Sequence, residues 1–206
     1  MRIVNAGVEI TTPLDGMGIL KHIERCARVC YKSENNITDE SAPRFVAGLI
    51  LHGHEAAIEH ISFTVKFTCD RGVSHEIVRH RLASYCQEST RYCNYTGDRF
   101  ENEITVINPR ALEFNSEAYS EWLIACECAE RQYFNLIKAG CTPQAARTVL
   151  PNSLKTEVVM TANLREWRHF LKMRCSQVAH PQMQEVAFML LDTVREKIPI
   201  VFDDIY

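Results

Sequence analysis

The sequence predicts an α+β protein in which helices pack around a small, mostly antiparallel sheet. Two observations support this class. Most of the chain carries the 3.6-residue apolar period of amphipathic helices. The strand-like segments are short and scattered, and they do not alternate with helices in a βαβ rhythm. A length of 206 residues fits one large domain or two small ones. Since no repeat or Pro/Gly/Ser-rich linker interrupts the chain, we expect a single domain over residues 1–206.

Four segments are predicted to be strands. The clearest is 61–69, where Phe63, Val65, Phe67 and Cys69 alternate with more polar residues, as in a strand with one buried face. The other three are shorter or less regular, and the β-rich composition of residues 1–11 is the evidence for the first of them. They are residues 1–11, 104–107 and 156–161.

The predicted helices are marked by apolar periodicity and by capping residues. Thr142-Pro143 is a typical helix start, with an N-cap followed by proline in the first turn. Asn163 followed by Glu166 resembles a capping box, and Gly140 is placed to end the long helix before it. The predicted helices span residues 15–31, 39–52, 73–83, 116–139, 142–151, 163–174 and 180–197.

Composition narrows the class of protein. The net charge of −3, with 46% hydrophobic and 24% charged residues, is ordinary for a globular chain. No apolar run approaches the roughly 20 residues needed to span a bilayer, and the N-terminus lacks a signal-peptide pattern, so a cytoplasmic protein is expected. The nine cysteines are odd in number and contain no C-x-x-C pair. They are expected to be free thiols, and no metal site is expected.

The segment from Arg79 to Arg91 is the strongest functional signal. It places three arginines, a histidine and the hydroxyls of Ser89 and Thr90 within thirteen residues of a mildly acidic chain. Arginine suits phosphates and planar oxyanions because its N–H donors form a rigid fork. Long nucleic acid normally requires a broad basic surface. The segment therefore predicts a site for a small anionic ligand.

A helix over residues 73–83 would place Glu76, Arg79 and His80 on one face and Arg81 on another. Such a divergent triplet could bridge two ligands, or a ligand and a neighbouring subunit. The alternative is a solvated basic helix end that complements the helix dipole. The following residues 84–98, with Gln87, Ser89 and Arg91 alternating, are interpreted as a functional loop.

A second group of arginines lies in the C-terminal half, where each could bind a ligand or form a structural ion pair. They are Arg147, Arg165, Arg168 and Arg174. The segment from His54 to His60 does not have the H-E-x-x-H spacing of a zinc site, so a structural role is preferred there. The sequence contains no G-x-G-x-x-G, Walker loop or nucleophile elbow, which argues against the folds that use them.

Four blocks of the chain resemble the flavin-dependent thymidylate synthases. Arg79-His80-Arg81, followed by seven residues and Ser89, is similar to the characteristic motif of that family. The Gly-His-x-x-x-x-Glu-His segment ending at His60 is a second block. The Ala-Arg-x-x-Leu-Pro helix around Arg147 and the segment from Asn163 to Arg174 complete the set. The blocks occur in the family's order and cover nearly the whole chain.

This resemblance implies the fold of that family and an NADPH-oxidising enzyme of the methyltransferase class. It would make dTMP from dUMP, with 5,10-methylenetetrahydrofolate as carbon donor and NADPH-reduced FAD as hydride source. It also implies a homotetramer with sites shared between subunits and no requirement for membrane or nucleic-acid polymer.

The resemblance further implies roles for individual residues. Arg174 would be catalytic, favouring the N3-ionised uracil and so activating C5. The FAD contacts would be Arg79, His80, Arg81, Gln87, Asn163, Arg165 and His169. The dUMP contacts would be Glu76, Arg79, Gln87, Glu88, Ser89, Thr90, Arg91, Arg147 and Arg174. The sequence departs from the commonest family pattern at Ala56, Cys86-Gln87 and His169.

Two other functions use the same residues. A non-catalytic nucleotide- or RNA-binding protein would show salt-dependent binding and no chromophore. A flavin reductase with a different acceptor would bind FAD but would not make dTMP.

Overall fold

The structure is a computed structural model that describes residues 1–97 and 100–206, and it has the predicted α+β class. Short 3₁₀ turns lie at Val29–Tyr31, Glu34–Asn36, Glu55–His60 and Arg147–Val149. The helices are α1 (Gly16–Arg28), α2 (Ser41–Leu51), α3 (Arg71–Ile77), α4 (Glu117–Lys138), α5 (Pro143–Ala146), α6 (Leu164–Arg174) and α7 (Pro181–Lys197). The strands are β1 (Arg2–Val4), β2 (Gly7–Ile10), β3 (Ser62–Asp70), β4 (Ala83–Gln87), β5 (Thr105–Ile107) and β6 (Lys155–Asn163).

The larger sheet is antiparallel, and its strand order is β2-β3-β6-β4. The predicted alternation along β3 is confirmed, because Phe63, Val65, Phe67 and Cys69 are all buried. A second, two-stranded sheet pairs β1 with β5 in parallel, with Arg2 opposite Thr105. The prediction of a small, mostly antiparallel sheet is therefore confirmed.

Two nine-residue strands, β3 and β6, each end in the residue that caps the next helix. Asp70 Oδ1 accepts the backbone N–H of Val73 at 2.7 Å, and Asn163 Oδ1 accepts that of Glu166 at 2.9 Å. Both cap residues keep an extended backbone, as N-caps normally do. The chain therefore passes from strand to helix without a loop, and the predicted Asn163 cap is confirmed.

The predicted helix over residues 73–83 is wrong beyond Ile77. The α3 helix is capped by Val78, and the chain then enters β4 at Ala83. The triplet from Arg79 to Arg81 lies between these two elements, so the argument from side chains diverging around one helix no longer holds. The predicted loop 84–98 is also wrong at its start, since residues 84–87 belong to β4, and Asp98 lies outside the described residues.

The strand forms here because sheet pairing outweighs local helix propensity. Just past the end of β4, the backbone N–H of Glu88 donates to the carbonyl of Glu157 at 2.9 Å. In the N-terminal segment, the single strand predicted over residues 1–11 is divided into β1 and β2.

The described chain divides into two compact units. The first unit is Met1–Gly7, Phe67–Arg79 and Cys86–Val159. The second unit is Val8–Lys66, His80–Tyr85 and Met160–Tyr206. The single domain over residues 1–206 stays a prediction.

Each unit has its own core. In the first unit, Tyr133 of α4 packs among buried residues that include Tyr95, Val106 and Leu154. In the second unit, Trp167 of α6 stacks on Phe63 with ring centroids 5.0 Å apart and donates its indole N–H to the Phe63 carbonyl at 3.2 Å. Burial of such large aromatic side chains is a major source of stability in a small unit.

Two further observations concern the length and hydropathy of the helices and the state of the cysteines. Among the described helices, none is both long enough and apolar enough to cross a bilayer. All nine cysteines lie within the described residues and are free thiols, as expected. Burial raises the pKa of the Cys69 thiol to about 12 and that of Cys175 to about 11, so neither forms a thiolate readily.

Candidate functional site

Four of the predicted dUMP contacts are close together in the first unit. Arg147, which follows α5, donates from Nη1 to the hydroxyl of buried Thr90 at 3.1 Å. The Ser89 hydroxyl accepts the backbone N–H of Arg91 at 3.3 Å. The Arg91 side chain in turn donates to Gln144 Oε1 at 3.2 Å. Two guanidinium groups and two hydroxyls thus form one cluster, a chemistry suited to a phosphate.

Gln87, at the end of β4, has a defined amide orientation. Its Nε2 donates to Ser74 Oγ at 2.9 Å and lies 3.4 Å from Thr156 Oγ1. Ser74 uses its own proton to donate to the Arg71 carbonyl at 2.8 Å, so the serine oxygen is an acceptor toward Gln87. With both amide protons directed at hydroxyls, the carbonyl Oε1 of Gln87 is the atom left to meet a ligand.

Glu88 lies in a small cavity of about 350 Å³ in the first unit. Its carboxylate is 3.0 Å from Lys155 Nζ, and Tyr95 lines the same cavity. Burial raises the pKa of the Tyr95 phenol, and among the described residues its hydroxyl has no hydrogen-bond partner. The carboxylate of Glu88 thus already has a cationic partner in Lys155. Its contact with dUMP stays a prediction.

The second unit holds the imidazole of His80, which is only 4% exposed. Its Nδ1 lies 3.1 Å from Glu166 Oε1, and its Nε2 receives a hydrogen bond from Arg174 Nε at 3.1 Å. Burial, followed by the neighbouring charge of Arg174, lowers the pKa of His80, and Glu166 only partly opposes this. We conclude that His80 is neutral at neutral pH.

His80, Glu166 and His169 also offer ligand atoms within 4.8 Å of one another, a spacing that can hold a metal ion. Two features oppose that role. Both ring nitrogens of His80 already have partners, and one partner is the guanidinium of Arg174, which would repel a cation. The absence of a metal site stays a prediction.

A cavity of about 800 Å³ lies beside this cluster in the second unit, and three predicted FAD contacts line it. Asn163 contributes the capped N-terminus of α6, where helix N–H groups favour an anion. Arg165 lies 2.5 Å from Glu59 Oε1 but is 55% exposed, so it can reach a ligand. His169 is the third, and Lys172 adds a further cation. Glu55, Glu59 and Glu166 line the same cavity, so its cations are partly neutralised, and the contacts of these residues with FAD stay a prediction.

The remaining predicted contacts differ in how far their side chains are exposed. Arg79 and Arg81 are exposed, and Glu76 lies half-buried on the last turn of α3. Arg168, one of the four C-terminal arginines, is buried and paired with Glu55 at 2.9 Å, which makes it structural.

Sequence reasoning missed two groups of residues. Glu166 was interpreted only as part of a helix cap, and nothing in the sequence indicates its contact with His80, 86 residues away. Ser74 and Thr156, which orient Gln87, and Lys172 of the larger cavity carried no recognisable motif.

Comparisons with known proteins agree with these motifs. A Pyrococcus horikoshii protein named flavin-dependent thymidylate synthase is 35% identical over 150 residues, which cover 72% of this chain and 61% of that protein. Proteins of the same name from Geobacter sulfurreducens and Mycolicibacterium gilvum are each 32% identical. The first match covers 86% of this chain and 78% of the relative, and the second covers 96% and 83%. The chain thus spans less than two thirds of the Pyrococcus relative and about four fifths of the other two.

Residues 14–200, which include every predicted site residue, match the family described as thymidylate synthase complementing protein. The match extends over far more than half of the chain, and the relatives agree with it. The chain belongs to this family, Thy1.

Proposed function

We propose that this protein is a flavin-dependent thymidylate synthase that converts dUMP to dTMP. The observation that carries the proposal is the family match over residues 14–200, which includes the complete Arg-His-Arg to Ser89 motif. The relatives from three organisms carry this activity in their names. The clusters described above have the side-chain chemistry that the reaction requires.

FAD is the proposed cofactor, held in the second unit by Asn163, Arg165 and His169. The cavity and the α6 N-terminus support this assignment. Arg79, His80, Arg81 and Gln87 are proposed as further FAD contacts. When bound and reduced by NADPH, the flavin supplies the hydride that completes the methyl group.

For dUMP, the cluster of Ser89, Thr90, Arg91 and Arg147 is proposed to bind the phosphate. Gln87, through its free carbonyl, is proposed to accept a hydrogen bond from the nucleoside. Glu76, Arg79 and Glu88 remain proposed contacts on the strength of the family resemblance.

Arg174 is the proposed catalytic residue. A guanidinium stays protonated across the working pH range and can stabilise the negative charge that develops when uracil N3 ionises. That charge makes C5 a better carbon nucleophile toward the one-carbon unit of 5,10-methylenetetrahydrofolate. The half-buried position of Arg174, fixed by His80, supports this role.

The homotetramer is also a proposal, and it now rests on the family resemblance, since the triplet is not on one helix. Light scattering on the purified protein tests it. A stable monomer with full activity would contradict both the tetramer and the sharing of sites between subunits.

The decisive test of the function is an assay with purified protein, FAD, NADPH, dUMP and 5,10-methylenetetrahydrofolate. We expect a flavin absorbance spectrum and dTMP formation that requires every component. NADPH oxidation without dTMP would favour the reductase alternative. A protein that shows no FAD titration, but binds RNA in a steeply salt-dependent way, would favour the non-catalytic alternative.

A further inference from the structure

Glu166 and Arg174 contact the same imidazole from opposite sides. Glu166 Oε1 and Arg174 Nε each lie 3.1 Å from a different ring nitrogen of His80. An arginine Nε–H can only donate, so His80 Nε2 must carry the lone pair. The ring proton is therefore on Nδ1, where it donates to the Glu166 carboxylate.

We propose that Glu166 is a positioning residue which, through the Nδ1–H tautomer of His80, holds the guanidinium of Arg174 in place for catalysis. The proposal rests on the thymidylate synthase function proposed above. Arg174 would touch the uracil, whereas Glu166 would touch only the histidine.

The surroundings of His80 restrict its ring to this arrangement. The ring packs against Phe170, with centroids 4.8 Å apart, and against the edge of His169 at 5.6 Å. On the backbone side, the Tyr85 hydroxyl donates to the His80 carbonyl at 2.5 Å. Because Glu166 is only 7% exposed, little water can replace its carboxylate. An orienting acid of this kind can fix a histidine tautomer without taking up the proton.

The position of Glu166 on the helix gives a second argument. It is the third residue of α6, where a glutamate commonly bonds back to the N-cap backbone. Here Oε1 faces His80, while the cap is supplied by Asn163 Oδ1. Eight residues later, a little over two turns, the same helix supplies Arg174. Both hydrogen-bond partners of the His80 ring, Glu166 and Arg174, are thus held on the same helix.

The first test is a double-mutant cycle of Glu166→Gln and Arg174→Ala, measured as the rate of dTMP formation with saturating dUMP. Mutation of the outer partner that orients a metal ligand typically costs 10–100-fold, and by the same physical reasoning we expect E166Q to lower the rate by at least about tenfold. In the Arg174→Ala background, the same change should alter the rate by less than about twofold, because nothing is left to position. Equal fold-losses in the two backgrounds would overturn the proposal.

A matched control is Glu24→Gln, which alters another buried carboxylate of the second unit, one that is paired with Arg28 at 2.7 Å and hydrogen-bonded by Ser41 at 2.8 Å. Its dTMP rate should equal that of the wild type. If Glu24→Gln lowered the rate of dTMP formation as much as E166Q, the rate would depend on buried carboxylates in general. That result would contradict a specific positioning role for Glu166.

The second test does not depend on activity. In protein labelled with ¹⁵N-histidine, the His80 signals, assigned with a His80→Gln variant, should report the Nδ1–H tautomer in the wild type and a mixture in E166Q. An Nε2–H tautomer in the wild type would refute the proposal. A wild-type protein that makes no dTMP would refute the proposed function instead, and the ¹⁵N result would then decide the positioning role by itself.

Discussion

Arg168 and Asp204 form a two-pronged ion pair, with Nη1 2.6 Å from Oδ1 and Nη2 2.8 Å from Oδ2. The same guanidinium donates to Glu55 at 2.9 Å and to the carbonyl of Val201. Its hydrogen bond and charge lower the pKa of Asp204. Within the second unit, one buried side chain of α6 therefore holds both the C-terminal segment and the 3₁₀ turn at Glu55 against that helix.

Replacing Arg168 with alanine should destabilise the protein strongly. We expect the free energy of unfolding to fall by about 3 kcal/mol, near the lower end for breaking a buried ion pair, because Asp204 is partly exposed. Urea denaturation monitored by tryptophan fluorescence measures it. The control Lys21→Ala, which removes an exposed pair with Asp39, should have almost no effect. A similarly small effect for Arg168→Ala would show that the buried network is not stabilising.

Arg174→Ala should separate flavin reduction from methylation. Removing a group that stabilises developing charge typically costs 10²–10³-fold, so we expect dTMP formation to fall by at least about a hundredfold. NADPH oxidation by the flavin should fall much less, since that half-reaction involves no ionised uracil. Parallel stopped-flow measurements of the two half-reactions test this. Near wild-type dTMP formation would remove Arg174 from its proposed role.

Thr90 offers a narrow test of the phosphate cluster. Thr90→Val keeps the shape of the side chain but removes the hydroxyl that holds Arg147. Since a hydrogen bond to a charged group contributes about 1.5–3 kcal/mol, we expect the Kd for dUMP to rise by about tenfold or more. The matched variant Thr90→Ser retains the hydroxyl and should bind nearly as well as the wild type. Calorimetric titration with dUMP distinguishes them, and equal affinity for the Val variant would contradict the assignment.

The lowered pKa of His80 predicts a pH dependence of stability. The unfolded chain, with an ordinary histidine pKa near 6.5, binds the proton more tightly than the folded protein. The contribution of neutral His80 is therefore complete above about pH 6.5 and is lost as the pH falls below it. The titratable and charged groups that face the ring are Glu166, Arg174 and His169. Besides burial, Arg174 and His169 lower the pKa of His80, whereas Glu166 raises it.

Urea denaturation of wild type and His80→Gln between pH 5 and pH 8 measures this dependence. The loss of stability on acidification should be smaller in the variant, because glutamine does not titrate. Identical slopes in the two proteins would show that the His80 pKa is not lowered in the folded state.

The sequence predicted local structure well where a single residue and its near neighbours determine it. The N-cap at Asn163 and the helix end at Gly140, whose φ is +89°, depend on interactions within one turn. The buried face of β3 follows from its alternation. Such features need no knowledge of the rest of the chain.

Long-range pairing was not predictable in the same way. Residues 79–83 contain no glycine or proline that would mark a helix end, but α3 ends at Ile77 and the chain joins the sheet as β4 from Ala83. Likewise, the resemblance identified Arg147, Thr90 and His80 as site residues, but it indicated neither the contact of Arg147 with Thr90, 57 residues away, nor that of His80 with Glu166, 86 residues away. A single sequence carries no signal for pairs at such separations.

The direct passage from β6 into α6 limits how the chain can change in length. Successive residues of this strand alternate between buried and partly exposed positions up to Asn163, which already caps the helix. A one-residue insertion between Met160 and Asn163 would exchange the two faces downstream of it or displace the cap. Since no loop can absorb the extra residue, His169 and Arg174 would also shift along the helix. We expect insertions and deletions among relatives to avoid residues 160–174 and to accumulate in the connections between elements.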